Sequence, residues 1–252
     1  MKLYNNIITT IQVRMGSTRL PGKVLKNVMD KPILLYMIER LKMSKYIDDI
    51  IIATSTNKLD DQLENFAKIN NLKCYRGSED DVLERVSETL LKFKVQIHVE
   101  LCGDCVIPDP QIIDSMIEFY LKENYDVVTN SIKTTFPPGL ETSIYKANLL
   151  IEQSKILTEP KYREHTALAF KEFPSKYKVK NIEAPMELYY PEIYLELDTE
   201  EDFKVIKNIY ENLYPKNPDF TTLDVIDYML KNKSIREINQ NVHRRWKQYR
   251  NE

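Results

Sequence analysis

The stretch I-I-T-T-I-Q-V-R-M-G-S-T-R-L-P-G-K, Ile7 to Lys23, decides how this chain is read. Ile7 to Ile11 is apolar and β-branched with no charge, the pattern of a buried strand. Gln12 to Gly22 then holds two Gly, one Pro and two Arg in eleven residues, and Lys23 follows. A strand running straight into a Gly-punctuated cationic loop is how α/β proteins cradle phosphate. The glycines let backbone N–H groups approach the anion, and Arg and Lys supply charge-assisted hydrogen bonds. The loop is not a Walker A motif. Five residues separate Gly16 from Gly22, one too many, and Val24 stands where that motif needs Ser or Thr for magnesium. It does not fit G-x-G-x-x-G either. The plainer alternative is a basic surface loop after an ordinary strand.

Outward from this stretch the chain alternates strand and helix. Leu34, Met37, Ile38 and Leu41 follow Pro32 at helical spacing. Asp49 to Thr54 reads as a second buried strand, with Leu59, Leu63, Phe66 and Ala67 marking a second helix. Lys73 to Tyr75 is a short third strand that opens into R-G-S-E-D-D, before a helix carrying Val82, Val86 and Leu90. Ile97 to Leu101 is a fourth strand, ended by C-G-D-C; a helix with Ile112, Ile113, Met116, Ile117 and Tyr120 leads to a fifth strand, Asp126 to Asn130. This rhythm predicts an α/β fold, a mostly parallel sheet with helices on both faces. It breaks between about 131 and 187, where T-F-P-P-G-L-E-T-S-I-Y gives a turn and a short strand with no obvious partner. We expect a small inserted acceptor or dimerisation region there, on one domain spanning residues 1–252. Tyr194 to Leu197 reads as a returning core strand ending at Asp198, with Thr199 and Asp202 spaced to cap the next helix.

A net charge of −2 argues against a general nucleic-acid or membrane-surface binder, and no run of about 18 apolar residues could span a bilayer. The first residues read directly into the strand without a signal-peptide core, so a cytoplasmic location is expected. Three cysteines, Cys74, Cys102 and Cys105, are too few and too odd for a disulfide framework. Cys102 and Cys105 have C-x-x-C spacing, but no second pair or nearby His completes a zinc site. A basic tail, H-R-R-W-K-Q-Y-R, could extend over a partner subunit of a homodimer.

In an open parallel sheet, ligands bind beyond the C-terminal ends of the strands. The chemically loaded residues fall there: Gln12 to Lys23 after strand one, Thr54 and Ser55 after strand two, Arg76 to Asp81 after strand three, Gly103 and Asp104 after strand four, and Asp198 after the late strand. Five such loops on one rim point to one site. Taken singly, each has a plain reading, such as Asp81 capping a helix or Asp104 turning the chain.

Q-V-R-M-G-S-T-R-L-P-G-K, together with R-G-S-E-D-D-V-L-E-R and C-G-D-C, resembles the cytidylyltransferase family of spore-coat polysaccharide type. That family is related to the enzymes that activate acylneuraminate and 3-deoxy-manno-octulosonate. The likeness runs from about Ile7 to Tyr210 and takes in G-L-E at Gly139, R-E-H-T at Arg163 and L-D-T-E-E-D at Leu197. It implies a Rossmann-like fold of the nucleotide-diphospho-sugar transferase type, and attack by an acceptor oxygen on the α-phosphate of CTP. Pyrophosphate leaves, and the product is a CMP-linked sugar acid or related acceptor. Arg14, Lys23 and Asp104 would carry the reaction. Ser17 and Arg19 join Arg14 and Lys23 at the triphosphate, and Gln12, Gly16, Thr54, Arg76, Gly77, Ser78, Asp81 and Gly103 complete the nucleotide site. Glu141, Arg163 and His165 would meet the acceptor. Asp104 and Asp198 match the family's metal-binding aspartates, with Mg2+ as the cofactor. Two other readings stay open: a nucleotidyltransferase acting on a sugar or alditol phosphate, and a non-catalytic nucleotide-binding subunit.

Overall fold

The structure, a computed structural model, describes residues 6–249. The strands are β1 (Ile7–Gln12), a small ribbon of β2 (Asn27–Val28) with β3 (Lys31–Pro32), β4 (Asp49–Ser55), β5 (Lys73–Gly77), β6 (Ile97–Cys102), β7 (Val127–Thr129), β8 (Ser143–Lys146) and β9 (Val179–Asn181). The α-helices are α1 (Ile33–Leu41), α2 (Asp61–Ile69), α3 (Val82–Lys92), α4 (Pro110–Lys122), α5 (Ala147–Ile156), α6 (Pro160–Glu164), α7 (Leu168–Glu172), α8 (Glu200–Leu213), α9 (Thr222–Lys231) and α10 (Lys233–Arg236). Among these residues no helix is long and apolar enough to cross a membrane.

Seven strands make one sheet in the order β5-β4-β1-β6-β8-β7-β9, parallel except for β8. Ile7, Ile11, Ile50 and Ile52 face one apolar layer with Leu34, Met37 and Ile38 of α1 and Met116 and Ile117 of α4. Ile8 and Ile51 face the opposite layer with Leu83, Val86 and Leu90 of α3 and Leu150 of α5. The alternation along β1 and β4 thus feeds both faces, as a doubly covered sheet requires. A third cluster gathers Ile193, Leu195 and Leu197 with α8 and α9.

Two expectations are corrected. The short strand near Ser143 has partners on both sides: it enters the main sheet as β8, antiparallel between β6 and β7. With β9 also in the sheet, the 131–187 region is woven into the core. Its outlying part is α6 and α7. Tyr194 to Leu197 is not a strand. Leu195, Glu196 and Leu197 are all buried, but the N–H groups of Leu195 and Leu197 find single carbonyls instead of a ladder. Leu195 donates to Pro138 at 2.6 Å and Leu197 to Asp104 at 3.0 Å. Period two in a sequence reports extended backbone; it does not report a partner strand.

Candidate active site

The chain runs from β1 to β4 and β5 on one side, then returns to β6 on the other. That reversal opens a crevice at the C-terminal ends of β1 and β6, where Gln12 sits opposite Cys102. Gly103 is needed here, because a Cβ on it would lie 2.2 Å from Cγ1 of Val13 and 2.7 Å from the carbonyl of Gln12. The cationic loop and the Gly103-Asp104 turn therefore leave the sheet in contact. Cys102 and Cys105 only bracket this turn, Cys105 N–H donating to the carbonyl of Cys102 at 3.1 Å, and both thiols are unbridged.

The loop is pinned at its base by a residue the sequence reading did not single out. Asp60, buried after β4, accepts from the N–H of Met15 at 2.7 Å and from the Ser55 hydroxyl at 2.5 Å. A carboxylate just ahead of α2 looks like an ordinary first-turn acid in sequence, so nothing marked it. Gly22, at φ 67°, supplies the left-handed turn that brings its N–H back to the Met15 carbonyl at 3.0 Å. Gly16 and Arg14 are exposed on the loop, and Ser17 accepts from the N–H of Leu20 at 3.4 Å.

Lys23 and Arg19 point to the end of the buried 193–197 segment. Lys23 Nζ lies 2.8 Å from Asp198 Oδ1, 2.7 Å from the Leu197 carbonyl and 4.0 Å from Asp104 Oδ2. Arg19 reaches Asp198 Oδ2 at 2.5 Å and the His243 carbonyl at 3.2 Å. The bond from Leu197 N–H to the Asp104 carbonyl is what brings two aspartates 94 residues apart in the chain to one point. Burial works against the charge on Lys23, yet Asp104 and Asp198 outweigh it and its pKa is raised. Burial also pushes the Asp104 carboxyl up, with Asp198 and Glu141 adding to it. Burial pushes Asp198 the same way, but Lys23 and Arg19 prevail and its pKa is lowered.

Asp104 and Asp198 also line a cavity of about 1150 Å³. Gln12, Glu100, Glu141, His165, Thr166, Lys171, Glu196 and Trp246 line it too. Burial depresses the pKa of His165. Glu141 is held by the N–H of Gly139 at 2.7 Å, where φ is 108° and a Cβ would collide with the backbone of Leu195 and Glu196. Gln12 donates to Glu100 at 3.3 Å. Glu100 in turn takes the hydroxyls of Tyr145 and Thr166, tying the sheet to the α6–α7 connection. Glu196 is buried, and its pKa is pushed up to about 8 by desolvation and by Glu141 beside it.

The remaining expected site residues separate into two groups. Ser78 and Gly77 stand at the rim, where Arg85, another residue the sequence reading did not single out, donates to the carbonyls of Ser78 and Glu79. Burial and then nearby Arg14 push the pKa of Arg85 down, so two cations crowd beside the loop. Thr54, Arg76, Asp81 and Arg163 are placed otherwise. Thr54 is enclosed within β4, which runs one residue further than expected. Arg76 is taken up by the carbonyls of Ser55 and Asn57, at 2.9 and 2.8 Å, and by Asp61 and Glu64. Asp81 caps α3 and pairs with Arg163, whose Nε is 2.7 Å away. Arg163 also donates to the carbonyls of Ser154 and Leu157, at 2.7 and 3.1 Å. It is a clamp between α3, α5 and α6 that uses four of its five N–H donors, and it does not line the cavity. Arg163→Met should therefore cost roughly 2–3 kcal/mol, about 4–12 °C in Tm, with CTP affinity held within about twofold. Thermal unfolding and calorimetric titration with CTP check this; an unchanged Tm would contradict the clamp.

The tail also folds differently from expectation. Arg244 is buried against Asp202 and Glu196, and Trp246 donates to Glu196 at 2.6 Å, so the tail packs on its own chain's site up to Lys247. Arg250 lies outside the described residues.

A cationic loop after the first strand of a doubly covered sheet, with two aspartates that contact its lysine and line a cavity, is the arrangement of a nucleotidyltransferase. The chain belongs to the cytidylyltransferase family, whose model matches residues 8–241. It is 34% identical over 235 residues to the spore coat polysaccharide biosynthesis protein SpsF of Bacillus subtilis, covering 90% of this chain and 95% of that one. A solved cytidylyltransferase from Leptospira borgpetersenii is 32% identical with a TM-score of 0.87, covering 96% of this chain and all of that one. The 3-deoxy-manno-octulosonate cytidylyltransferase of Thermodesulfovibrio yellowstonii is 32% identical over 128 residues, 48% of this chain and 50% of that one. The CMP:2-keto-3-deoxy-manno-octonic acid synthetase solved with CTP shares the fold at a TM-score of 0.62 and 14% identity, over 82% of this chain and 99% of that one.

Proposed function

We propose that this enzyme transfers the cytidylyl group of CTP to an oxygen of a sugar acid or a related acceptor, in surface polysaccharide or glycoconjugate biosynthesis. The acceptor oxygen forms a bond to the α-phosphorus, the bond to the β-phosphate oxygen breaks, and pyrophosphate and the acceptor's proton leave. The observation that carries this reading is the position of Asp104 and Asp198, which both contact Lys23 of the loop and line the cavity. A triphosphate on the loop and an acceptor in the cavity would meet there.

Little covalent chemistry is asked of the protein, so positioning and charge do most of the catalysis. Arg14, Arg19 and Lys23 gather the phosphates and offset charge that builds on pyrophosphate. The loop glycine Gly16 lets backbone N–H groups approach, and Gly77 and Ser78 border the place for the base. Lys23 and Arg19 also pair with Asp198, so a phosphate on the loop would share these cations with a carboxylate.

The donor chemistry of Asp104 and Asp198 fits Mg2+. Both are hard oxygen ligands that already share a cation, the Lys23 ammonium, and magnesium takes one or two carboxylates plus substrate phosphates and water. Among the described residues no three His, Cys, Asp or Glu side chains form a metal cage, which a phosphate-completed site does not need. Bound there, the ion would act as a Lewis acid on the phosphate and acceptor oxygens.

The test is incubation with α-labelled CTP, magnesium and a panel of acceptors: 3-deoxy-manno-octulosonate, its 8-amino-8-deoxy analogue, N-acetylneuraminate and ribitol 5-phosphate. A CMP-linked acid with release of pyrophosphate is expected. A CDP-linked product made only from ribitol 5-phosphate would replace this reading with that of an alditol-phosphate enzyme, and CTP binding without any product would overturn both.

A further inference from the structure

Glu196 belongs to the cavity but not to the triphosphate cradle. It follows Leu195, buried among α8 and α9, and its main chain touches Gly139 so closely that no side chain fits there. One carboxylate oxygen, Oε1, accepts from the indole N–H of Trp246 at 2.6 Å and lies 3.4 Å from Arg244 Nη1. The supports are themselves anchored. Arg244 is 2.9 Å from Asp202 Oδ1 and donates to the Asn239 carbonyl at 3.0 Å, and Asn239 donates to Asp202 at 2.9 Å. Asp202 closes the capping box of α8. The tail thus works as a strap that fixes one carboxylate.

The other oxygen, Oε2, is buried and has no hydrogen-bond partner among the described residues, in a side chain that is 7% exposed. The hydroxyl of Thr142, on the same cavity, is likewise buried without a partner. Buried polar atoms are nearly always paired, and an orphan at a cavity wall is a place where a ligand completes the set. Glu196 shares its wall with the acids Glu141 and Asp104, a setting that disfavours an anion and leaves a hydroxyl or amine as the group for Oε2.

We propose that Glu196 is a specificity-determining residue for the acceptor: Oε2 forms a hydrogen bond with a hydroxyl or amine of the acceptor, with Trp246 as the positioning residue behind it. This rests on the proposed cytidylyl transfer to a sugar acid. The acceptor's carboxylate is kept away from this wall, and its polyol or amino portion is drawn to it.

The experiment is steady-state kinetics with whichever acid of the panel the wild type uses, on Glu196→Ala, Thr142→Val and Trp246→Phe. Glu196→Ala is expected to raise the acceptor KM at least tenfold, with the CTP KM within twofold. Thr142→Val and Trp246→Phe should move the acceptor KM in the same direction by a smaller factor, again with the CTP KM held. Trp246 is the single tryptophan of the chain, so its fluorescence should change when the acid is added to the CTP complex, and Glu196→Ala should abolish that change. Acid turnover with an unchanged acceptor KM in Glu196→Ala overturns this proposal alone. Equal changes in both KM values in all three variants overturn it in favour of a purely structural strap. No turnover of any acid by the wild type overturns the proposed function and this inference together.

Discussion

Asp198→Asn is expected to lower kcat by about 10²–10³-fold, the range for loss of one preorganised electrostatic group. The reason is that Asp198, which reads as a helix-starting acid, does not cap α8. Thr199 is the N-cap, and its hydroxyl and Asp202 exchange hydrogen bonds with the backbone in a full capping box. The Asp198 carboxylate instead takes Lys23 and Arg19, at 2.8 and 2.5 Å. Asparagine keeps the shape and loses the charge. Asp104→Asn should act in the same way, since Asp104 is held by its main chain, through Leu197, and faces Lys23 with its side chain. Both variants should need more magnesium for half-maximal rate and should bind Mn2+ more weakly in the presence of CTP. Paramagnetic resonance reads that without turnover. Near-normal rates with unchanged magnesium dependence in both variants would remove the metal assignment.

Lys23→Ala is the second large effect, and the structure changes what is expected of it. A loop lysine is expected in solvent, where removal costs little stability. Here its side chain is 13% exposed and placed between two carboxylates. The variant should lose about 10²-fold or more in kcat/KM for CTP, and its Tm should also fall, because Asp104 and Asp198 are left facing each other with Arg19 as the remaining close cation. Arg14→Ala is the control. Arg14 is exposed on the loop, so its loss should weaken CTP use ten- to a hundredfold, roughly 1.5–3 kcal/mol, with Tm unchanged. Normal CTP kinetics in both variants would mean that the loop is not the cradle.

The contrast between these two cations shows where sequence stops. Both read as loop charges after β1, and only the packing of the 193–197 segment against the Gly103-Asp104 turn separates a buried ion pair from a free one. Arg163 and Arg76 make the same point. Each sits in a motif that resembles the family's, yet each is consumed by carbonyls and acids whose positions depend on how α2, α3, α5 and α6 meet. The donor count of a guanidinium is written in the sequence, and its partners are not.

The sequence by itself determined the alternation of strands and helices, the doubly covered sheet and the cationic loop at its centre, because these follow from local periodicity and from Gly and Pro placement. It also marked Asp104 and Asp198 as ends of extended segments. Only the tertiary structure decided that Ser143–Lys146 pairs within the main sheet, that Tyr194 to Leu197 runs extended without a ladder, and that the tail returns to Glu196. The physical reason is the same in each case. An extended or amphipathic pattern states which face a segment will bury, whereas the partner it buries that face against lies far along the chain and is chosen by packing.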